Sequence, residues 1–273
     1  MQKLDAVGGT SLWVAAGRAL ESDRADALFH DPFARELAGE EGLASFRQSE
    51  LLSPHSTPIV PVRTRYFDDV LGAAAASGVR QMVILAAGMD ARAYRIAWPE
   101  GTTVYEIDRA PVLERKGATL SKVTPLTPRH AIICDLAEDW VTPLTAAGFD
   151  RTRPAAWLIE GLTFYLKEAD LRALLARVDA LSTRGSVATC DVLGESLLRA
   201  PSMKPTVDFM AAQGSPWHFG TDTPEALFTP LGWEAKAETM SEVGTRLGRW
   251  PFPNAPRGTP GVPHSFLVRA EKR

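Results

Sequence analysis

The fold is decided by residues 82–108, MVILAAGMDARAYRIAWPEGTTVYEID. An apolar run at 82–87 meets a small-residue turn (Ala86, Ala87, Gly88), and a second β-like run at 102–107 ends in an acid, Asp108. The pattern reads as a strand, a tight turn, a connecting helix and a second strand whose carboxyl end presents a carboxylate. In an open α/β sheet such a turn brings backbone close to a ligand, and the acid can accept both hydroxyls of a ribose.

Downstream, β-rich runs alternate with helical ones. Strands are expected at 82–87, 103–107, 131–134, 156–159, 186–192, 233–239 and 265–270, with helices at 91–96, 110–121, 167–182, 224–231 and 241–247. This alternation implies a parallel sheet covered on both faces, and the nearly continuous apolar strands agree. The last two strands, separated by a weak helix and the Pro/Gly-rich loop 250–263, can pair antiparallel. The fold class is α/β, with a seven-stranded, mostly parallel sheet.

Upstream, residues 1–58 read as an N-terminal helical cap. Thr10 or Ser11 can cap a helix running to Leu20, and Asp31-Pro32 opens another. Three prolines break the pattern over 53–61, and 59–76 reads as a helix that begins the main domain, 59–273. The long segment 194–221 carries Phe209, Trp217 and Phe219 and suits a substrate pocket or lid.

Composition narrows the function. The chain has 273 residues, 45% apolar and 23% charged, enough for one large domain or one domain with a cap. A formal net charge of -3 argues against a nucleic-acid partner held by bulk charge. The arginine pairs Arg63/Arg65, Arg92/Arg95 and Arg151/Arg153 therefore meet acids or a small anion. No apolar run approaches the roughly 20 residues of a membrane helix, and the N-terminus lacks the form of a secretory signal, so a cytoplasmic location is expected. Cys134 and Cys190, without a CxxC, are expected as buried free thiols, and the five scattered histidines offer no metal site.

Four places could carry chemistry. The first is the turn Ala86-Ala87-Gly88-Met89-Asp90-Ala91, which keeps one glycine where a pyrophosphate-binding G-x-G-x-x-G needs three. A ligand without a pyrophosphate tolerates alanine better, and S-adenosylmethionine (SAM) is such a ligand; any parallel sheet also has a small-residue first turn. The second is Asp108, a ribose acceptor or the cap of a helix at Ala110-Pro111. The third is Asp135-Leu136 after the third strand, able to meet an adenine, or a turn acid. The fourth is Glu160-Gly161-Leu162-Thr163-Phe164-Tyr165-Leu166 after the fourth strand. There a carboxylate and two aromatics stand at the central crevice, unless Glu160 is only a surface acid beside core aromatics.

In this order these pieces resemble the leucine carboxyl methyltransferase family of SAM-dependent methyltransferases, in particular its bacterial branch linked to polyketide O-methylation. The resemblance spans nearly the whole chain, including Ala27-Leu28-Phe29, Asp31-Pro32-Phe33 and Arg63-Thr64-Arg65-Tyr66-Phe67-Asp68-Asp69. It implies a Rossmann-like class I SAM-dependent methyltransferase with an N-terminal helical cap. It further implies that Arg63 binds the methionine carboxylate of SAM, while Asp108, Asp135-Leu136 and Glu160 hold ribose, adenine and the amino-acid end around the Gly88 turn. Ala86 stands where the family turn has its first glycine, which crowds the cofactor tail.

Methyl transfer from a sulfonium is an in-line displacement, so alignment is the main task. A carboxylate acceptor is already ionised, whereas a phenol needs a base, for which Tyr165 and His218 are the candidates. His218, between Trp217 and Phe219, can equally pack on those aromatics. The expected function is an O-methyltransferase acting on a small-molecule carboxylate or phenol. The alternatives are a nicotinamide-dependent oxidoreductase on a similar sheet and a SAM-binding protein without turnover. The sequence leaves the oligomeric state open.

Overall fold

The computed structural model describes residues 4–52, 58–259 and 261–273. Helices α1 (Ala6–Ser22), α2 (Ala34–Leu52) and α3 (Ile59–Ala76) precede the sheet. Then follow β1 (Gln81–Leu85), α4 (Arg92–Arg95), β2 (Thr103–Asp108), α5 (Ala110–Thr119), β3 (Arg129–Ile133), α6 (Val141–Ala146), β4 (Ala155–Ile159), α7 (Glu168–Ala180) and β5 (Val187–Leu193). The chain ends with α8 (Glu195–Arg199), α9 (Lys204–Ala212), β6 (Trp233–Thr239), α10 (Met240–Arg246) and β7 (Ser265–Lys272).

The seven strands form one sheet in the order β3-β2-β1-β4-β5-β7-β6. Strands β1 to β5 run parallel, and β7 is inserted antiparallel between β5 and β6. The antiparallel pair β6–β7 is joined by the short helix α10 and the Pro/Gly-rich loop that follows it. Strand order reverses between β1 and β4, so the carboxyl ends of these neighbours open a crevice.

Side-chain alternation divides the core between the two faces of the sheet. Met82 and Ile84 of β1 point to one face, with Leu12, Phe67, Val112 and Val243 of the covering helices. Val83 and Leu85 point to the other, with Leu144 of α6 and Leu171, Leu175 and Val178 of α7. Strands β1 and β4 are buried throughout, as two covered faces require. Edge strand β3 is more open: Ile133 is 57% exposed.

Several expectations shift. Helix α1 begins earlier than Thr10 or Ser11, capped by Asp5, whose carboxylate accepts from Gly8 N at 2.7 Å. Asp31 does cap a turn, accepting from Phe33 N at 3.2 Å, and α2 starts at Ala34. Of the loop expected at 53–61, residues 53–57 lie outside the described residues, and Pro61 sits in the first turn of α3, where its missing N–H has no partner to lose. The helix expected at 224–231 is two short 3-10 turns, Pro224–Leu227 and Thr229–Leu231, because Pro230 interrupts the ladder. The segment 194–221 itself holds α8 and α9, neither with a buried residue. Both cysteines are free, but only Cys190 is buried; Cys134 falls just past β3.

Candidate active site

A cavity of about 440 Å³ opens at the carboxyl edge of the sheet, within the usual range for a small-molecule site. Each parallel strand from β1 to β4 delivers residues to it. The turn after β1 supplies Ala86, Gly88 and Asp90, and the end of β2 supplies Asp108. Cys134, Asp135 and Leu136 follow β3, and Glu160, Gly161 and Tyr165 follow β4. Arg63 of α3, one face of α1 (Gly8, Thr10, Ser11, Val14, Arg18) and part of α7, including Asp170 and Arg177, add to the walls. His218 is not among the lining residues: its side chain is exposed, while its backbone amide donates to Phe164 O at 2.7 Å.

The turn is built around a carboxylate. Asp108 accepts Gly88 N at Oδ2 and Arg109 N at Oδ1, both at 2.7 Å. Each oxygen keeps a second lone pair, so two hydroxyl donors can still be accommodated. Burial pushes the Asp108 carboxyl up despite these amides and the Lys116 and Arg109 charges. Gly88 lies at φ +50, and a Cβ there would meet Ser11 Cβ at 2.9 Å, so glycine serves both the backbone and the helix beside it. Ala86 lies at φ 53, a left-handed conformation that costs an alanine about 1 kcal/mol.

Behind the cavity runs a chain of buried ion pairs. Asp191 of β5 accepts from Arg63 Nη1 at 2.8 Å, and Arg63 Nε donates to Glu160 Oε1 at 3.0 Å. Glu160 Oε2 takes Arg92 Nη1 at 2.9 Å, and Arg92 Nε reaches Asp68 at 2.7 Å. Asp68 also accepts Arg95 at 2.7 Å, and Asp31, 3.9 Å from Arg95, pairs with Arg18 at 2.9 Å. Arg92 meets Asp90 as well. Burial alone would raise Glu160, but Arg92 and Arg63 hold it below the ordinary carboxylate range. Asp90 is likewise pulled against burial to about 2, by Arg92, Lys116 and Arg18. Of the arginines paired in sequence, Arg63, Arg65, Arg92 and Arg95 do meet acids.

Three buried guanidinium nitrogens of this network lack a hydrogen-bond partner, Arg63 Nη2, Arg92 Nη2 and Arg95 Nε, and of these residues Arg63 lines the cavity. An orphaned guanidinium N–H is costly unless an anion completes it. At the far end, Asp135 is exposed and accepts Ala137 N at 2.9 Å, while Leu136 packs on the core. Together these groups fit SAM: a free cationic donor for its carboxylate, Glu160 for its ammonium, Asp108 for a diol and Asp135-Leu136 for adenine.

The sequence profile of the leucine carboxyl methyltransferase family matches residues 11–179. The chain belongs to this family. A relative from Mycolicibacterium gilvum (strain PYR-GCK), named as a candidate S-adenosyl-L-methionine-dependent methyltransferase, is 39% identical over 292 residues, spanning 97% of this chain and 94% of the relative. The crystal structure of a candidate methyltransferase from Thermobifida fusca YX superposes with a TM-score of 0.64 at 18% identity, covering 94% of this chain and 97% of that one. Magnesium protoporphyrin IX methyltransferase from Synechocystis PCC 6803, solved with bound SAH (S-adenosylhomocysteine), shares the fold with a TM-score of 0.52 at 10% identity, over 88% of this chain and 98% of the other.

The protein is thus a SAM-dependent methyltransferase on a Rossmann-like sheet, and not a nicotinamide-dependent oxidoreductase. Among the described residues no helix is long and apolar enough to cross a membrane. The residues expected at the cofactor, Arg63, Ala86, Gly88, Asp108, Asp135, Leu136 and Glu160, all line one cavity, as does Tyr165. Sequence reasoning did not single out Asp191 or Arg18. The available signal was a charge within an apolar element, which burial forces into a pair.

Proposed function

We propose that this methyltransferase transfers the methyl group of SAM to a carboxylate oxygen of a small acidic metabolite. In this reading Arg63 binds the cofactor carboxylate, Glu160 its ammonium, Asp108 the ribose and Asp135-Leu136 the adenine. Bound there, SAM supplies a methyl group on a sulfonium, open to in-line displacement.

The observation that carries the carboxylate reading is that the described residues lining the cavity include no histidine and no lysine. Its acids are Asp90, Asp108, Asp135, Glu160 and Asp170, and a carboxylate is a far weaker base than a phenol's proton requires. Burial pushes the Tyr165 hydroxyl up, so it stays a neutral donor at physiological pH. Partial burial and the charges of Glu138, Asp135 and Asp139 raise Cys134 too, and Glu160 is held ionised between two arginines, which makes it a poor proton acceptor. A carboxylic acid, with a pKa of about 4, arrives ionised and needs no base; a phenol, near 10, does.

Tyr165 then orients the acceptor by donation. Thr10 and Trp217 are its polar neighbours, and Trp217 Nε1 is buried with no partner in hydrogen-bonding geometry. The helical segment 194–221 that carries Trp217 serves as the lid over the acceptor.

The test pairs acceptors. Enzyme and labelled SAM are incubated with polyketide-type aromatic acids and with phenols of the same skeleton. A base-labile methyl ester, formed at a kcat/KM that stays flat from about pH 6 to 9, is the expected result. A base-stable ether, formed faster as pH rises, refutes the carboxylate assignment.

A further inference from the structure

Arg63 owes its orientation to a residue on β5, a strand that contributes nothing to the cavity lining. Asp191 lies in β5, whose remaining residues are apolar or small, and is 5% exposed. Its Oδ2 accepts Arg63 Nη1 at 2.8 Å. Its Oδ1 accepts the amide of Gly161 at 2.7 Å, and its backbone carbonyl accepts Thr163 Oγ1 at 2.6 Å. Gly161 is at φ +66, and a Cβ there would stand 3.5 Å from Arg63 Nη1, so the turn passes close against the guanidinium. One carboxylate thus fixes the arginine and the turn after β4 together.

The guanidinium is a rigid planar fork. With Nε on Glu160 and Nη1 on Asp191, its two outer directions are set, and Nη2 is the donor left without a partner. Removing the Asp191 charge frees rotation about the Nε–Glu160 bond and turns Nη2 out of line.

We infer that Asp191 is a positioning residue that aims Arg63 Nη2 at the carboxylate of the cofactor's amino-acid tail. The inference rests on the proposed contact between Arg63 and that carboxylate. Asp191 touches neither cofactor nor acceptor and is therefore not a catalytic residue.

The test uses two ligands, SAH and 5′-methylthioadenosine, which has the same adenosine but lacks the carboxylate. Their affinities for the wild type, Asp191→Asn, Arg63→Gln and the double variant are measured by calorimetry on the full chain. Asp191→Asn is expected to weaken SAH about tenfold, the effect of misaligning one charge-assisted hydrogen bond, and to leave 5′-methylthioadenosine unchanged. Within the Arg63→Gln background the second substitution should cost SAH nothing further, because Asp191 acts through Arg63.

Equal weakening of both ligands would mean a merely structural role and would overturn the inference. So would unchanged SAH affinity in Asp191→Asn while Arg63→Gln loses it. Unchanged SAH affinity in Arg63→Gln overturns the underlying contact as well. If Asp191→Asn does not fold, the double variant, with both charges removed, carries the test against Arg63→Gln. Equal SAH affinity supports the inference and a further loss refutes it.

Discussion

Gly88 donates its amide to Asp108 at 2.7 Å, so the turn after β1 and the end of β2 move as one piece. The bond crosses the two strand ends that flank the cofactor cavity, and it makes Asp108 both a support of the turn and a face of the site.

Asp108→Ala should therefore weaken SAH by about 100-fold, the effect of two hydroxyl contacts to a charged acceptor. Stability should change by no more than about 1 kcal/mol. Losing the acceptor for Gly88 and Arg109 is offset by no longer burying an ionised carboxyl. Calorimetry and a thermal melt on the same sample separate the two effects.

The neighbouring small residues carry opposite predictions. Ala86→Gly removes a left-handed alanine and opens the cavity wall, so it should add about 1 kcal/mol and tighten SAH binding. Gly88→Ala puts a Cβ at φ +50, within 2.9 Å of Ser11 Cβ. It should lose about 2 kcal/mol and most of the SAH affinity. Denaturant unfolding of both variants gives the stabilities.

Beneath the turn, Lys116 and Glu106 form a fully buried pair at 2.6 Å, with Lys116 Nζ also donating to Asp90 O at 3.0 Å. Arg129 shares the Glu106 oxygen at 2.7 Å. Lys116→Met should cost about 3 kcal/mol, since it leaves a buried carboxylate short of a cation and the Asp90 carbonyl short of a donor. A loss under about 1 kcal/mol in urea would contradict that role.

The pH response has two parts of opposite sign. Asp90 and Glu160 have depressed folded-state values, so their stabilisation is complete above the unfolded value, 3.8 for Asp90, and fades as pH falls, for Asp90 toward about 2. Asp90 alone accounts for about 2 kcal/mol. Asp108 is raised by burial, so its ionised form costs stability at neutral pH, and that cost is relieved as pH falls through its raised value. Acidification should thus weaken SAH binding, through protonation of Asp108, before it lowers Tm, which should drop only below about pH 4. Parallel titrations of SAH affinity and Tm check the order.

The sheet was legible because seven β-rich runs each met a turn or breaker, and burial of the inner strands β1, β4 and β5 on two faces left apolar stretches few other folds accept. The antiparallel end was legible from the weak link between the last two strands. Helix starts were less so: Thr10 and Ser11 both suit a cap, yet α1 begins ahead of them because Asp5 caps it, and Gly8 lines the cavity. The strand-end residues of the site were visible because each closes an apolar run with an acid or glycine. Asp191 was not, since it lies inside such a run, and its partner Arg63 is 128 residues away in sequence. Long-range ion pairing leaves no local spacing to read.

The central claim is that the cleft above β1, β2 and β4 holds the methyl donor with its carboxylate on Arg63. A crystal structure with SAH measures this directly. The account predicts the ribose hydroxyls on Asp108, the adenine beside Asp135-Leu136 and the carboxylate on Arg63 Nη2. SAH bound elsewhere, or in this cleft with its carboxylate turned away from Arg63, would contradict it.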